Sequence, residues 1–263
     1  VNFMNRIQGK TVIITGATAG IGESCARLFA ERGANLILLA RRKERLNNLC
    51  EELSGLGVEV TSRVHDVRDW SLADGLAKDL QERGIVPDIL INNAGLGRGL
   101  GTIQEGNIED WEEMIDTNIK GLLYITRAIL PMMVEQDHGH IINIGSIAGR
   151  WVYPSGNVYN ATKFAVYALN EAMSVDLLGT NVRVSSVDPG AVETEFSLVR
   201  FRGDKERAKK TYTGYTPLTP DDVADSVCYV ANTPPSVNIL QLVIMPTDQR
   251  TVTIKKKSED SDS

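Results

Sequence analysis

Short apolar runs alternate with longer stretches in which apolar residues return every three or four positions, and the rhythm holds along most of the 263-residue chain. Thr11–Ile14, Leu36–Leu39, Val58–Val64, Ile89–Ile91, His140–Ile144, Val182–Val187 and Ile239–Ile244 have the length and β-branched content of buried strands. After the first of these, Ile21, Cys25, Leu28 and Phe29 recur at helical spacing, and Gly33 stands where a helix should stop. Leu46, Leu49, Cys50, Leu53 and Leu56 mark a second helix, and Trp70, Ala73, Leu76, Ala77 and Leu80 a third with these residues inward. Longer helices are predicted over about 108–136, 157–179 and 220–232. Continuously apolar strands joined by helices imply an α/β fold, a parallel sheet covered on both faces. Right-handed crossovers then make it a doubly wound sheet of about seven strands.

No repeat or linker divides this pattern, so a single domain is expected over 10–250, after an N-terminal extension at 1–9. The segment of about 193–219 is long, charged and interrupted by Gly203, Gly214 and Pro217, the character of a substrate loop. Residues 251–263, ending Lys255-Lys-Lys-Ser-Glu-Asp-Ser-Asp-Ser263, read as a partly disordered tail. A hydrophobic content of 42% supports a sizeable core, and a net charge of −6 argues against nucleic acid or an anionic membrane as partner. No apolar run approaches the ~20 residues of a membrane span. Val1 to Lys10 lacks the layout of a signal peptide, and three scattered cysteines suit a reducing compartment, so a cytoplasmic chain is expected.

Candidate chemistry begins at Thr15-Gly-Ala-Thr-Ala-Gly-Ile-Gly22, between the first strand and the first helix. Glycines at such a turn let the backbone approach a pyrophosphate, which then rests on the helix N-terminus. Gly16, Thr18, Ala19, Gly20, Ile21 and Gly22 are therefore candidate dinucleotide contacts. Chains that bind NAD carry an acidic residue at the end of the second strand, about 20 residues on. Here the positions read Ala40-Arg41-Arg42, and paired guanidiniums suit the 2′-phosphate of NADP(H). The alternative is two solvated arginines at a helix start. Asp66-Val67 and Asn92-Asn93-Ala94-Gly95 fall at later strand ends on the same edge, although Asp66 could instead cap the next helix, with Asp69 as competitor. Tyr159 and Lys163 are one helical turn apart, which puts phenol and ammonium on one face. A nearby cation lowers a tyrosine pKa and makes a usable general acid or base. Ser146 follows the fifth strand, and Asn118 lies on the long helix before it.

Together, Thr15-Gly-x-x-x-Gly-x-Gly22, Asn92-Asn-Ala-Gly95, Asn118, Ser146, Tyr159-x-x-x-Lys163 and Pro189-Gly190 resemble the short-chain dehydrogenase/reductase family over Gly9 to Met245. The resemblance implies a Rossmann-type fold and hydride transfer between nicotinamide C4 and a carbinol carbon. It implies Tyr159 as proton donor or acceptor and Ser146 as the group that orients the substrate oxygen. Lys163 would hold the nicotinamide ribose and lower the tyrosine pKa, and Asn118 would support a water relay. Pro189, Gly190, Val192 and Thr194 would cover the nicotinamide. Asp110-Trp-Glu-Glu-Met-Ile-Asp-Thr-Asn118, His138-Gly-His-Ile-Ile-Asn-Ile-Gly-Ser146 and Glu195-Phe-Ser-Leu-Val-Arg-Phe-Arg-Gly-Asp204 are similar to the NADP-dependent 3-hydroxy acid dehydrogenases. Those enzymes oxidise serine, L-allo-threonine and related acids, or reduce malonic semialdehyde.

A hydroxy acid needs a partner for its carboxylate. Arg98, Arg150, Arg200 and Arg202 are candidates, and Arg200 or Arg202 on the variable loop is the expected anchor. An NADPH-dependent carbonyl or 3-ketoacyl reductase would share the catalytic set. An NADPH-binding sensor or scaffold would not need all of Ser146, Tyr159 and Lys163. His65, His138 and His140 lack metal-ligand spacing, so no metal is expected. The resemblance implies a homotetramer packed through the helices carrying Asn118 and Tyr159. Their apolar residues, including Leu122, Leu123, Ile125, Phe164 and Val166, could equally be buried within one subunit.

Overall fold

The computed structural model describes residues 4–256. Its strands are β1 (Thr11–Thr15), β2 (Asn35–Ala40), β3 (Val60–Val64), β4 (Ile89–Asn92), β5 (Gly139–Ile144), β6 (Val182–Pro189) and β7 (Gln241–Ile244). All pair in parallel, in the spatial order β3-β2-β1-β4-β5-β6-β7. The order reverses between β1 and β4, which opens a crevice at the carboxyl ends of the strands.

Strand alternation assigns side chains to the two faces. Val12, Ile14, Leu36 and Leu38 join one apolar cluster with α1 (Gly20–Glu31), α2 (Lys43–Ser54) and α9 (Pro220–Ala231). Ile13, Ile37, Leu39 and Leu90 join the other, against α3 (Trp70–Glu82), α5 (Leu122–Glu135) and α6 (Asn157–Asp176). α4 (Ile108–Ile115) leads into α5, and two short helices, α7 (Phe196–Arg200) and α8 (Lys205–Lys210), lie in the segment after β6. Gly33 ends α1 at φ +80°, a conformation that favours glycine. α9 starts at a reciprocal cap between Thr219 and Asp222, with Pro220 in its first turn.

Several expectations change. The helix expected over 108–136 is interrupted by a π-helical turn, Asp116–Gly121, which places Asn118 out of α-helical register. Trp70 faces outward at the first position of α3, edge-on to Tyr124 at 5.9 Å between ring centroids, and Leu56 lies exposed beyond the end of α2. The N-terminal extension is part of the domain in its described portion: Ile7 is buried in the core and the Arg6 amide donates to Asn232. The beginning of the expected tail is folded as well. Residue 255 bridges to Gln249, and the Lys256 amide donates to the Asp248 carbonyl at 2.7 Å. The remainder of the tail, 257–263, lies outside the described residues.

Candidate active site

A cavity of about 800 Å³ occupies the crevice. At one end lies the glycine loop. Gly16 takes φ +65° and Gly20 φ +51°, and a Cβ on Gly16 would come within 3.1 Å of the Ala94 backbone. Gly22 has no room for a side chain, since a Cβ would sit 2.4 Å from Asn93 Nδ2, so it packs under the loop rather than lining the cavity. Asn93 fixes the loop by donating from Nδ2 to the Thr15 carbonyl at 2.9 Å, while Thr15 Oγ1 accepts from the Asn93 and Ala94 amides. The N-cap of α1 is Ala19, which has no side-chain acceptor for the helix's first N–H groups. These uncapped donors and the bare glycine backbone line the cavity, and together they suit a pyrophosphate.

Arg41 and Arg42 line the same end, beside Asp66 and Val67. Arg42 donates from Nε and Nη2 to the Thr18 hydroxyl and carbonyl, at 3.3 and 2.9 Å. Asp69, not Asp66, caps α3 through the Ser71 amide. Asp66 is instead gripped by Arg68, which holds its carboxyl below the usual range, and it remains on the cavity wall.

The other end gathers Ser146, Tyr159 and Lys163. Ser146 leaves β5 and caps a short turn by accepting from the Ala148 amide at 3.0 Å. Tyr159 and Lys163 sit in the first two turns of α6, both about nine-tenths buried. Burial pulls Lys163 down to about 8, with the Asp188 charge acting against it, and its Nζ donates to the Ile144 carbonyl at 3.0 Å. Tyr159 departs from expectation. Burial pushes its hydroxyl up, against the opposing pull of the Arg200 charge and the Ser146 hydroxyl. Desolvation, which disfavours the phenolate, outweighs the charge that opposes it, and that charge is Arg200 rather than the expected Lys163.

Asn118 is also placed differently. It lies outside the cavity lining, its Oδ1 accepting from the Leu96 amide at 2.8 Å and its Nδ2 donating to the Leu96 carbonyl and to Thr162. Thr162 in turn donates to the Tyr159 carbonyl. The Asn118 side chain therefore braces the first turns of α6. A row of buried amides continues this bracing through the sheet. Asn92 donates to Thr126 and Asn143, Asn143 to Asn170 on α6, and Asn170 to the Leu240 carbonyl.

The four arginines separate cleanly. Arg98 is paired with Glu113, and Arg150 with the buried Asp188, at 2.7 Å for the latter. Arg202 is exposed, paired with Asp110 and outside the cavity lining, so it is no anchor in this arrangement. Arg200 lines the cavity. It donates to the Gly99 carbonyl and, at 2.7 Å, to the Tyr153 hydroxyl, and its guanidinium stands 5.1 Å over the Tyr159 ring. Pro189, Gly190, Val192 and Thr194 line the wall between the two ends. Sequence reasoning missed Tyr212, Val252, Thr253 and Lys255, which also line the cavity. The alternation Thr251-Val-Thr-Ile254 ahead of the lysines was the available signal.

A parallel sheet reversing at β1/β4, a glycine loop under an uncapped helix and a Ser–Tyr–Lys cluster at the strand ends define a dinucleotide-dependent oxidoreductase site. The short chain dehydrogenase family pattern matches residues 10–204, and the chain belongs to that family. Among relatives, it is 49% identical over 239 residues to the NADP-dependent 3-hydroxy acid dehydrogenase YdfG of Salmonella typhi, covering 90% of this chain and 95% of that protein. It is 46% identical to sulfoacetaldehyde reductase 2 of Chromohalobacter salexigens, covering 90% and 94%. Among solved structures, the closed form of a serine dehydrogenase complexed with NADP+ superposes with a TM-score of 0.87 at 47% identity, covering 91% of this chain and 96% of that one.

Proposed function

We propose that this chain is an NADP(H)-dependent oxidoreductase that interconverts a small 3-hydroxy acid and its 3-oxo acid, of the serine, L-allo-threonine or 3-hydroxypropionate/malonic semialdehyde type. The observation that carries the substrate class is Arg200. It is a cavity-lining guanidinium over the Tyr159 ring whose hydrogen-bond partners, among the described residues, are neutral oxygens. Its remaining donors can take an acid group while the substrate oxygen lies at Tyr159 and Ser146. The relatives named for 3-hydroxy acids and for sulfoacetaldehyde support this reading, since both kinds of compound carry an acid group one carbon removed from the reacting carbon.

Bound NADP(H) supplies the two-electron chemistry at its nicotinamide. The uncapped N-terminus of α1 and Lys163 hold the anionic dinucleotide, and Arg41 and Arg42 meet its 2′-phosphate. Ser146 orients the substrate oxygen by hydrogen bonding. Tyr159, whose protonated form burial favours, gives its proton to that oxygen in reduction; oxidation runs the same transfer in reverse and starts from the phenolate. Phe196, 5.5 Å from the Tyr159 ring between centroids, and Tyr153 keep water from the reacting centre.

Leu123 and Phe164 are exposed while Leu122, Ile125 and Val166 are buried, so α5 and α6 each bury one face and present an apolar second. This supports assembly as a homotetramer through those helices, and the proposed site of action is the cytoplasm. Initial rates on small 3-hydroxy acids, simple alcohols and ketones with NADP(H) and NAD(H) test the proposal. The expected outcome is at least a tenfold NADP(H) preference, about 1.4 kcal/mol, with acids ahead of neutral substrates. Tyr159→Phe should lose turnover and keep NADP+ binding. Equal use of the two cofactors, or activity confined to 3-ketoacyl thioesters, would overturn it.

A further inference from the structure

Glu195 joins the two ends of the cavity. Its Oε2 accepts from Arg42 Nη1 at 2.7 Å and its Oε1 from Arg45 Nη1 at 2.8 Å. Arg42 is tied in turn to Thr18 of the glycine loop. One residue earlier, Thr194 lies against that loop, where a Cβ on Gly20 would come 3.0 Å from Thr194 Cγ2. Glu195 immediately precedes α7, whose first residue, Phe196, packs on Tyr159 and whose last, Arg200, stands over the same ring. A displacement at Glu195 therefore reaches both residues through little more than one helical turn.

A single exposed ion pair does little. Here two guanidiniums converge on one carboxylate, each on its own oxygen, and they hold its carboxyl below the usual range. A guanidinium carries five N–H donors, of which Arg42 spends one each on Glu195, the Thr18 hydroxyl and the Thr18 carbonyl. The remaining donors can meet a phosphate while Glu195 stays in place.

We propose that Glu195 is a positioning residue, the clasp through which a 2′-phosphate held by Arg41 and Arg42 fixes α7, and with it Phe196 and Arg200, over Tyr159. This rests on the NADP(H) reading above. A phosphate immobilises the guanidinium that grips Glu195, whereas a 2′-hydroxyl brings no charge to do so. The substrate end of the site thus senses which dinucleotide is bound.

Hydrogen exchange of peptides covering 196–212 tests the clasp, with saturating NADP+, with NAD+ and with neither. Wild type, Glu195→Gln and Arg45→Gln are compared. Arg45 lies outside the cavity lining, so its replacement spares the groups placed at the cofactor. Wild type should show slower exchange with NADP+ than with NAD+ by at least about threefold. Both variants should still bind NADP+, lose that extra protection, and show a raised substrate KM with kcat largely kept. The double variant should do no more than either single one, and Glu195→Asp should restore part of the protection. Equal protection by the two dinucleotides in wild type, or full protection with an unchanged KM in Glu195→Gln, overturns the clasp alone. Failure of wild type to bind NADP+ overturns the cofactor reading and the clasp with it.

Discussion

Replacing Arg200 by methionine keeps a long side chain against the Tyr159 ring and removes the guanidinium. Two losses follow, and they separate by substrate. The cation stacked 5.1 Å over Tyr159 is lost for every substrate alike, at about 0.5–1 kcal/mol for such a contact. The hydrogen bond to an acid group is lost only for anionic substrates, and a bond to a charged partner contributes about 1.5–3 kcal/mol. In kcat/KM that second loss is roughly 12- to 150-fold. The quantity to measure is therefore a ratio, kcat/KM for malonic semialdehyde over kcat/KM for propanal, followed by NADPH absorbance. The ratio should fall at least about tenfold in Arg200→Met. Arg200→Lys should keep part of it, because a lysine preserves the charge without the planar fork. If both substrates lose the same factor, Arg200 serves to pack Tyr159 and the substrate class proposed above fails.

Two further outcomes follow from the buried charges. Lys163 titrates at about 8 against an ordinary value of 10.5, so its ammonium is present below that pH and lost above it. NADP+ affinity, read by fluorescence titration, should be level below about pH 8 and weaken as pH rises through it. In Lys163→Met the profile should be flat, and a wild type without a break would refute the assignment. Arg150→Met removes the cation hydrogen-bonded to the buried Asp188 and leaves Lys163 as its charged neighbour. The side chains are 23% and 5% exposed, so the cost should be about 3 kcal/mol, the low end for breaking a buried pair. Thermal unfolding should then come roughly 6–10 °C earlier, and an unchanged midpoint would show that the Arg150–Asp188 pair does not hold the fold together.

The parallel sheet was legible because strands buried on both faces leave uninterrupted apolar runs, and Ile13 or Leu38 reads the same whichever helix covers it, but the order of the strands was read only from the fold. The glycine loop and the Ser146, Tyr159 and Lys163 cluster were legible because each occupies the end of an element. What escaped depended on contacts between distant segments. Arg200 and Arg202 are two residues apart on one loop, yet a turn of α7 sends one over Tyr159 and the other out to Asp110. The rise in the Tyr159 pKa is a property of burial, and spacing to Lys163 carries no measure of burial. Residues 251–256 looked like the start of a solvated tail because Lys255 and Lys256 are charged. In the fold, Lys255 donates to the Tyr215 hydroxyl at 2.8 Å and stands over that ring, a partner 40 positions away.

The amide row of Asn92, Asn143 and Asn170 has a consequence for how such a chain can change over generations. Each member hands a hydrogen bond to the next, and Asn143 and Asn170 are fully shielded from solvent. Replacing one by an apolar residue strands the polar groups of its neighbours, at about 1–3 kcal/mol for each unsatisfied atom. The three positions therefore behave as a single heritable character. Single replacements should cost more than their share, and joint replacement of neighbouring members less than the sum of the single ones.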